Sequence, residues 1–289
     1  MPDSVLPFHW VDVFAAAAYG GNPLPVVFGA EGLDDAALLR ITQEFRQFET
    51  AFLFPTATPG RWRARIFDLF EELPFAGHPL LGAAVVVHAL HTPSPQSSVE
   101  FQIGERVVPL TSSLDGNAGT AWLDAGPADF LSDAIAARAD IAKAFALNAA
   151  DLHDTLPIQT VSTGLRYLVV PVRPQVLAKA RIDADISALV RTHCAEFAVL
   201  VDVEAREQRH WNNDGKLEDF ATGSAASVVG AYLAHHGAIR ADEIVALSQG
   251  RYAGRTSELL VRVDALTHHA HVGGRVQRIG EGRLLRTPD

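Results

Sequence analysis

The chain has 289 residues, 48% of them hydrophobic and 20% charged, which suits a soluble globular protein of two domains with separate cores. Its formal net charge of −10 argues against nucleic acid or an anionic membrane as partner, since both call for basic patches. The single cysteine, Cys194, excludes internal disulfides, and Met1 to Trp10 carry neither a basic n-region nor a long apolar run, so no secretory signal is read and a cytoplasmic protein is expected.

Phe8 to Phe14 alternate as a first strand, and Tyr19-Gly20-Gly21-Asn22-Pro23 is turn chemistry leading to a second strand over Pro25 to Phe28. Asp34 caps an amphipathic helix whose apolar face is Ala36, Leu38, Leu39, Ile41, Thr42 and Phe45. Ala51 to Phe54 and Trp62 to Phe67 read as paired neighbouring strands. The run Leu80 to Leu90 is apolar on every helical face, as a helix enclosed by protein must be, and is too short to span a bilayer. A surface loop over Thr92 to Ser98 precedes strands at Val99 to Ile103, Glu105 to Leu110 and Thr120 to Asp124, with a turn at Asp115-Gly116-Asn117. Patterning breaks between Gly126 and Phe130, and Ala134 to Phe145 is helical.

The later chain has strands at Pro157 to Thr163, Tyr167 to Val172 and Phe197 to Val203, with a short helix near Ile186 to Thr192 between the last two. A strand near Gln208 to Asn212 and the turn Asn213-Asp214-Gly215 lead to a second all-apolar helix, Ala225 to Ala234, stopped by Gly237. Strands near Ile244 to Leu247 and Leu259 to Val263 follow, and a final strand over Val272 to Ile279 crosses back to the first half.

The two buried helices are announced by similar strings, Glu72-Leu73-Pro74-Phe75-Ala76-Gly77-His78-Pro79 and Glu218-Asp219-Phe220-Ala221-Thr222-Gly223-Ser224, whose glycines are 223 − 77 = 146 positions apart. Gly21 with Val26-Val27-Phe28 matches Gly164 with Leu168-Val169-Val170, and Glu49 to Phe54 matches Glu196 to Val201. The expected fold is therefore α+β: two pseudo-symmetric halves, each wrapping strands around one central helix. The expected domains are residues 1–125 with a C-terminal strand near 272–289, and residues 126–271.

Two helix mouths facing each other across the cleft between the halves would suit a small acid with one carboxylate. Taken alone, Gly77 and Gly223 serve close helix–strand packing equally well. Glu49 is the candidate base: among Phe45, Phe48 and Phe52 its carboxylate would be desolvated, although a Glu ending a helix is also simply exposed. His78 and Asp219 are candidate catalytic groups or plain cap and turn residues. Glu71 and Glu72 read as solvated. His268, His269 and His271 lack ligand-spaced Cys or carboxylate partners, so no metal is expected, and Cys194 reads as buried filler. No GxGxxG after a strand, Walker loop or GxSxG elbow occurs, and no cofactor is expected.

Asp12-Val13-Phe14 with Gly21-Asn22-Pro23, Glu49-Thr50-Ala51-Phe52, the Glu72 to Pro79 string, Glu218-Asp219 with Thr222-Gly223-Ser224-Ala225, and Gln249-Gly250-Arg251 with Gly254-Arg255 together resemble the phenazine-biosynthesis isomerase (PhzF-like) family. The resemblance covers nearly the whole chain and implies the diaminopimelate-epimerase fold, each half curling a mostly antiparallel sheet around its helix, and a homodimer. It maps the family's proton-shuttling Glu onto Glu49, and other active-site positions onto His78, Asp219 and Ser224. Backbone N–H groups near Gly77 and Gly223 would receive the substrate carboxylate. The wider fold group racemises amino acids with two thiols; here those positions are Ala76 and Thr222, which excludes that chemistry.

Phe48 stands where the family often has Ser, Phe220 where it has Pro, and Asp68-Leu69 where it has Thr-Pro. The resemblance thus implies a cofactor-independent isomerase or epimerase moving a proton on a small carboxylate-bearing substrate, one less polar than or shaped differently from dihydrohydroxyanthranilate. The alternative is a non-enzymatic small-acid binder on the same scaffold. A pure interaction protein finds no exposed apolar stripe to support it.

Overall fold

In a computed structural model, described for residues 5–92, 94–133 and 135–288, the chain divides into two compact units, Met1–Leu123 with Gly273–Asp289, and Asp124–Val272. Pro93 of the expected loop, Ala134 at the head of the expected helix and Asp289 lie outside the described residues.

The elements run β1 (Leu6–Val13), β2 (Asn22–Phe28), α1 (Asp35–Phe45), β3 (Glu49–Pro55), β4 (Arg61–Asp68), β5 (Glu72–Leu73), α2 (Gly77–His91), β6 (Gln96–Ile103), β7 (Arg106–Asp115) and β8 (Ala118–Pro127). Then come β9 (Asp129–Asp133), α3 (Arg138–Ala144), β10 (Gln159–Ser162), β11 (Arg166–Val172), α4 (Ser187–Thr192), β12 (Phe197–Asp202), β13 (Glu207–His210), α5 (Gly223–His235), β14 (Val245–Gln249), β15 (Ser257–Val263) and β16 (His269–Leu284).

In the first unit the strand path is β1-β2-β3-β4-β6-β7-β8-β16, and β16 also pairs with β1, so eight strands close into a barrel. The final strand β16 is thus the stave that completes the first unit. Helix α2 is buried from His78 to His88 because staves enclose it. The fit is tight at Gly82, where a Cβ would stand 2.5 Å from Leu24 Cδ2 and 2.9 Å from Val13 Cγ2. Outside the barrel, α1 starts at Asp34, whose Oδ1 accepts from Ala37 N–H at 2.8 Å, and ends at Arg46 in the left-handed region. Its buried face joins Phe52, Phe54 and Phe67 in an outer core.

The expected repeat is visible as shared topology. In one unit β2–α1–β3 is parallel, β3–β4 antiparallel, β4–α2–β6 parallel and β6–β7 antiparallel. In the other β11–α4–β12 is parallel, β12–β13 antiparallel, β13–α5–β14 parallel and β14–β15 antiparallel. Each parallel step needs a crossover, and each second crossover is the all-apolar helix.

Three local expectations are corrected. The broken pattern after Gly126 holds a strand, β9, which pairs with β10; alternation is weak there because Asp129, Leu131 and Asp133 are exposed. The helix expected before Phe145 is a 3-10 turn over Ile135–Ala137 followed by the shorter α3. Cys194 is exposed rather than buried, sitting at φ +59° in the turn after α4. No helix among the described residues is long and apolar enough to cross a membrane.

Candidate active site

Glu49 opens β3 and pairs in register with Asp68 of β4. The pleat separates two faces. Thr50, Phe52 and Phe54, opposite Phe67, Arg65 and Arg63, form the α1 side, while Glu49, Ala51 and Leu53 lie on the other. Phe52 therefore points away from Glu49 and Phe45 belongs to the outer core, so two of the three rings expected around the base lie elsewhere. The mouth of α2 meets the carboxylate. His78 Nε2 lies 3.3 Å from Glu49 Oε2, and the two side chains retain only 7% and 19% of their exposure.

Ala76 is extended, no side chain caps α2, and Pro79 in the first turn has no N–H to satisfy, so the first-turn donors belong to Gly77 and His78. Glu72 is exposed, as expected, and is also engaged. Its carboxylate takes a bidentate pair of hydrogen bonds from Arg65, which also binds Asp35 of α1 at 2.7 Å.

In the second unit the mouth of α5 is likewise without a side-chain cap. Asp219 Oδ2 accepts from the Thr222 hydroxyl at 2.7 Å and its Oδ1 accepts from Ala221 N–H at 3.3 Å. Ser224 Oγ is 2.7 Å from the Tyr167 hydroxyl. Burial holds the Tyr167 phenol well above its ordinary value, the Ser224 hydrogen bond only partly opposing it, so Tyr167 keeps its proton.

His210, at the end of β13, lacks any motif that would single it out. Its Nδ1 is 2.9 Å from the Ala198 carbonyl, which can only accept, so Nδ1 carries the proton and the tautomer is set. Burial pushes its pKa below the usual imidazole value, against the Ala198 hydrogen bond and the charge of Asp219, which both raise it. The unfolded chain binds a proton at about pH 6.5 that the folded one refuses. This residue's stability is fully present above that pH and is lost as pH falls toward the depressed folded value. Between about pH 7 and 5, wild-type unfolding free energy should fall more steeply than that of His210→Gln, the extra slope not exceeding about 1.4 kcal/mol per pH unit. Urea denaturation at each pH measures it, and superimposable profiles would contradict the assignment.

Sequence reasoning also missed Tyr167, Gln208 and Gln249 as neighbours of these groups. Gln249 lies within a motif string quoted above, whereas Tyr167 and Gln208 sit on strands with no signature. Among the described residues, no group of three or more His, Cys, Asp or Glu is placed to hold a metal ion. His269 instead pairs with Asp124, at 2.9 Å.

Comparison with known proteins places these features in a lineage. A family model described as phenazine biosynthesis-like protein matches residues 11–286. The trans-2,3-dihydro-3-hydroxyanthranilate isomerase of Pseudomonas chlororaphis is 31% identical over 285 residues, which cover 95% of this chain and 98% of that protein. The solved structure of a predicted epimerase from Pseudomonas aeruginosa is 42% identical with a TM-score of 0.89, over 96% of this chain and 99% of that one. A PhzF-family protein from Bacillus anthracis is 20% identical and has the same fold, with a TM-score of 0.82 over 97% of this chain and 99% of that one.

Proposed function

The chain belongs to the phenazine biosynthesis-like family and is an isomerase, and from that premise we propose that it shifts a proton on a small carboxylate-bearing substrate without a cofactor. Glu49 takes the proton from carbon and returns it elsewhere on the same face. The observation that carries the proposal is the 3.3 Å contact between Glu49 Oε2 and His78 Nε2 at an uncapped helix mouth. A base for a carbon acid must be held still and partly dry, and an acid or hydrogen-bond donor must stand close by to receive developing negative charge. His78 answers that second need. The helix-mouth groups at Gly77 and at Gly223 with Ser224 are proposed to bind the substrate carboxylate, where backbone donors and the helix dipole favour an anion. Asp219 is proposed as a further site group that accepts hydrogen bonds. Family membership sets aside the non-enzymatic binder.

The probe for this proposal is trans-2,3-dihydro-3-hydroxyanthranilate, named for the Pseudomonas chlororaphis relative. Proton NMR in D₂O should show a C–H signal lost at one carbon as hydrogen or deuterium arrives at another, with no added cofactor. Conversion that moves no carbon-bound proton, or turnover that requires an added cofactor, would overturn it.

A further inference from the structure

We propose that Gln249 is a positioning residue for the α5 mouth, orienting the Thr222 hydroxyl so that it donates to Asp219. The inference deepens the proposed function and rests on its reading of Asp219 as a site group. The side chain of Gln249, at the end of β14, is fully buried and makes four hydrogen bonds. Its Oε1 accepts from Thr222 N–H at 3.1 Å, and its Nε2 donates to the Asp219 carbonyl at 3.0 Å. A main-chain N–H only donates and a carbonyl only accepts, so these two contacts orient the amide without ambiguity.

The rest follows from that orientation. Nε2 also donates to Thr222 Oγ1 at 2.9 Å, so the one hydroxyl proton of Thr222 is directed to Asp219 Oδ2, 2.7 Å away. Gln208, itself fully buried, donates from Nε2 to Gln249 Oε1 at 2.7 Å and braces the amide from behind. Donation runs one way, from Gln208 to Gln249 to Thr222 to Asp219. Asp219 Oδ1 meanwhile faces Ala221 N–H. Each carboxylate oxygen meets a donor, so Asp219 accepts on both sides of this turn.

Gly250 keeps the relay in place. Its φ is +86°, and a Cβ there would lie 2.2 Å from Arg255 O and 2.4 Å from Phe220 O. Only glycine lets the chain after Gln249 press backbone to backbone on the Asp219–Thr222 turn.

Two readouts test the relay. In ¹⁵N-labelled protein the Gln249 side-chain amide protons should exchange at least about tenfold more slowly than those of exposed glutamines; Thr222→Val should speed them and Thr222→Ser should leave them protected. With trans-2,3-dihydro-3-hydroxyanthranilate as probe, Thr222→Val and Gln249→Leu should each lower kcat/KM by about 10- to 100-fold, the loss expected when a hydrogen bond to a charged group is removed. Their combination should cost no more than the worse single variant, because both break one chain of donation. Thr222→Ser should restore activity. Additive losses, or wild-type kcat/KM in Gln249→Leu while Asp219→Asn is impaired, would overturn the relay. Wild-type activity in Asp219→Asn would instead remove the site reading beneath it, and the relay's role with it. Should the probe not turn over, the exchange arm decides, and unprotected Gln249 amide protons overturn the proposal.

Discussion

Replacing Glu49 by Gln should reduce kcat/KM by about 10⁴-fold, the upper range for removing a general base, with KM nearly unchanged. The substitution keeps the shape of the side chain and its place at the start of β3 opposite Asp68. What it removes is proton affinity, since an amide cannot take a proton from carbon at neutral pH. A base that touches the reacting carbon contributes chiefly in the transition state, so the loss belongs in kcat rather than KM. His78 should behave differently. As the group proposed to receive developing charge, 3.3 Å from the proposed base, it leaves the first proton transfer possible, and His78→Asn should cost about 10²-fold or more yet retain measurable turnover. The check is single-turnover conversion of trans-2,3-dihydro-3-hydroxyanthranilate with its migrating proton replaced by deuterium. Wild-type enzyme limited by C–H cleavage shows an isotope effect, and Glu49→Gln should convert the same substrate about 10⁴-fold more slowly. Full turnover in Glu49→Gln would end the role assigned to this residue.

The parts of this arrangement that the sequence discloses are those written in neighbouring residues. Both central helices can be read because an apolar run without a polar face has no place except inside a sheet, and α2 and α5 are buried along nearly their whole length. The repeat is readable because equal topology requires similar spacing between glycine, strand and helix. The environment of Glu49 is not readable in the same way. Phe48 and Phe52 flank it in sequence, but a strand turns successive side chains to opposite faces, and Phe45 and Phe52 pack with α1. The residue that does meet Glu49, His78, lies 29 positions later and is delivered by helix α2. Gln208, Gln249 and Thr222 are joined only through the β13–α5–β14 crossover, so no local pattern brings them together. β9 fails for another reason: Leu131 faces solvent while Ser132 is half-buried, so polarity along its five residues does not alternate with burial.

The largest stability effect is expected one residue before Asp219. Glu218 takes a bidentate pair from Arg209, Nε to Oε1 at 2.8 Å and Nη2 to Oε2 at 2.6 Å, and the two side chains keep 8% and 12% of their exposure. The second Arg209 terminal nitrogen, Nη1, donates to the carbonyls of Leu177 and Ala180, and the guanidinium lies 4.3 Å from the Trp211 ring centre and 4.4 Å from that of Tyr252. Arg209 is therefore held at once by residues from distant parts of one unit, and Glu218 supplies its counter-charge. Removing Glu218 alone strands that charge where water reaches it poorly. Glu218→Leu should therefore lose about 3–5 kcal/mol, the range for breaking a buried pair from one side. For a unit of about 150 residues this corresponds to a Tm lower by roughly 6–20 °C. Arg209→Met with Glu218→Leu removes both charges and keeps apolar volume between Trp211 and Tyr252, so the double variant should be more stable than Glu218→Leu. Scanning calorimetry of the three proteins decides it. A Glu218→Leu Tm within about 1 °C of wild type, or a double variant less stable than Glu218→Leu, would show that the pair does not carry the charge balance assigned to it.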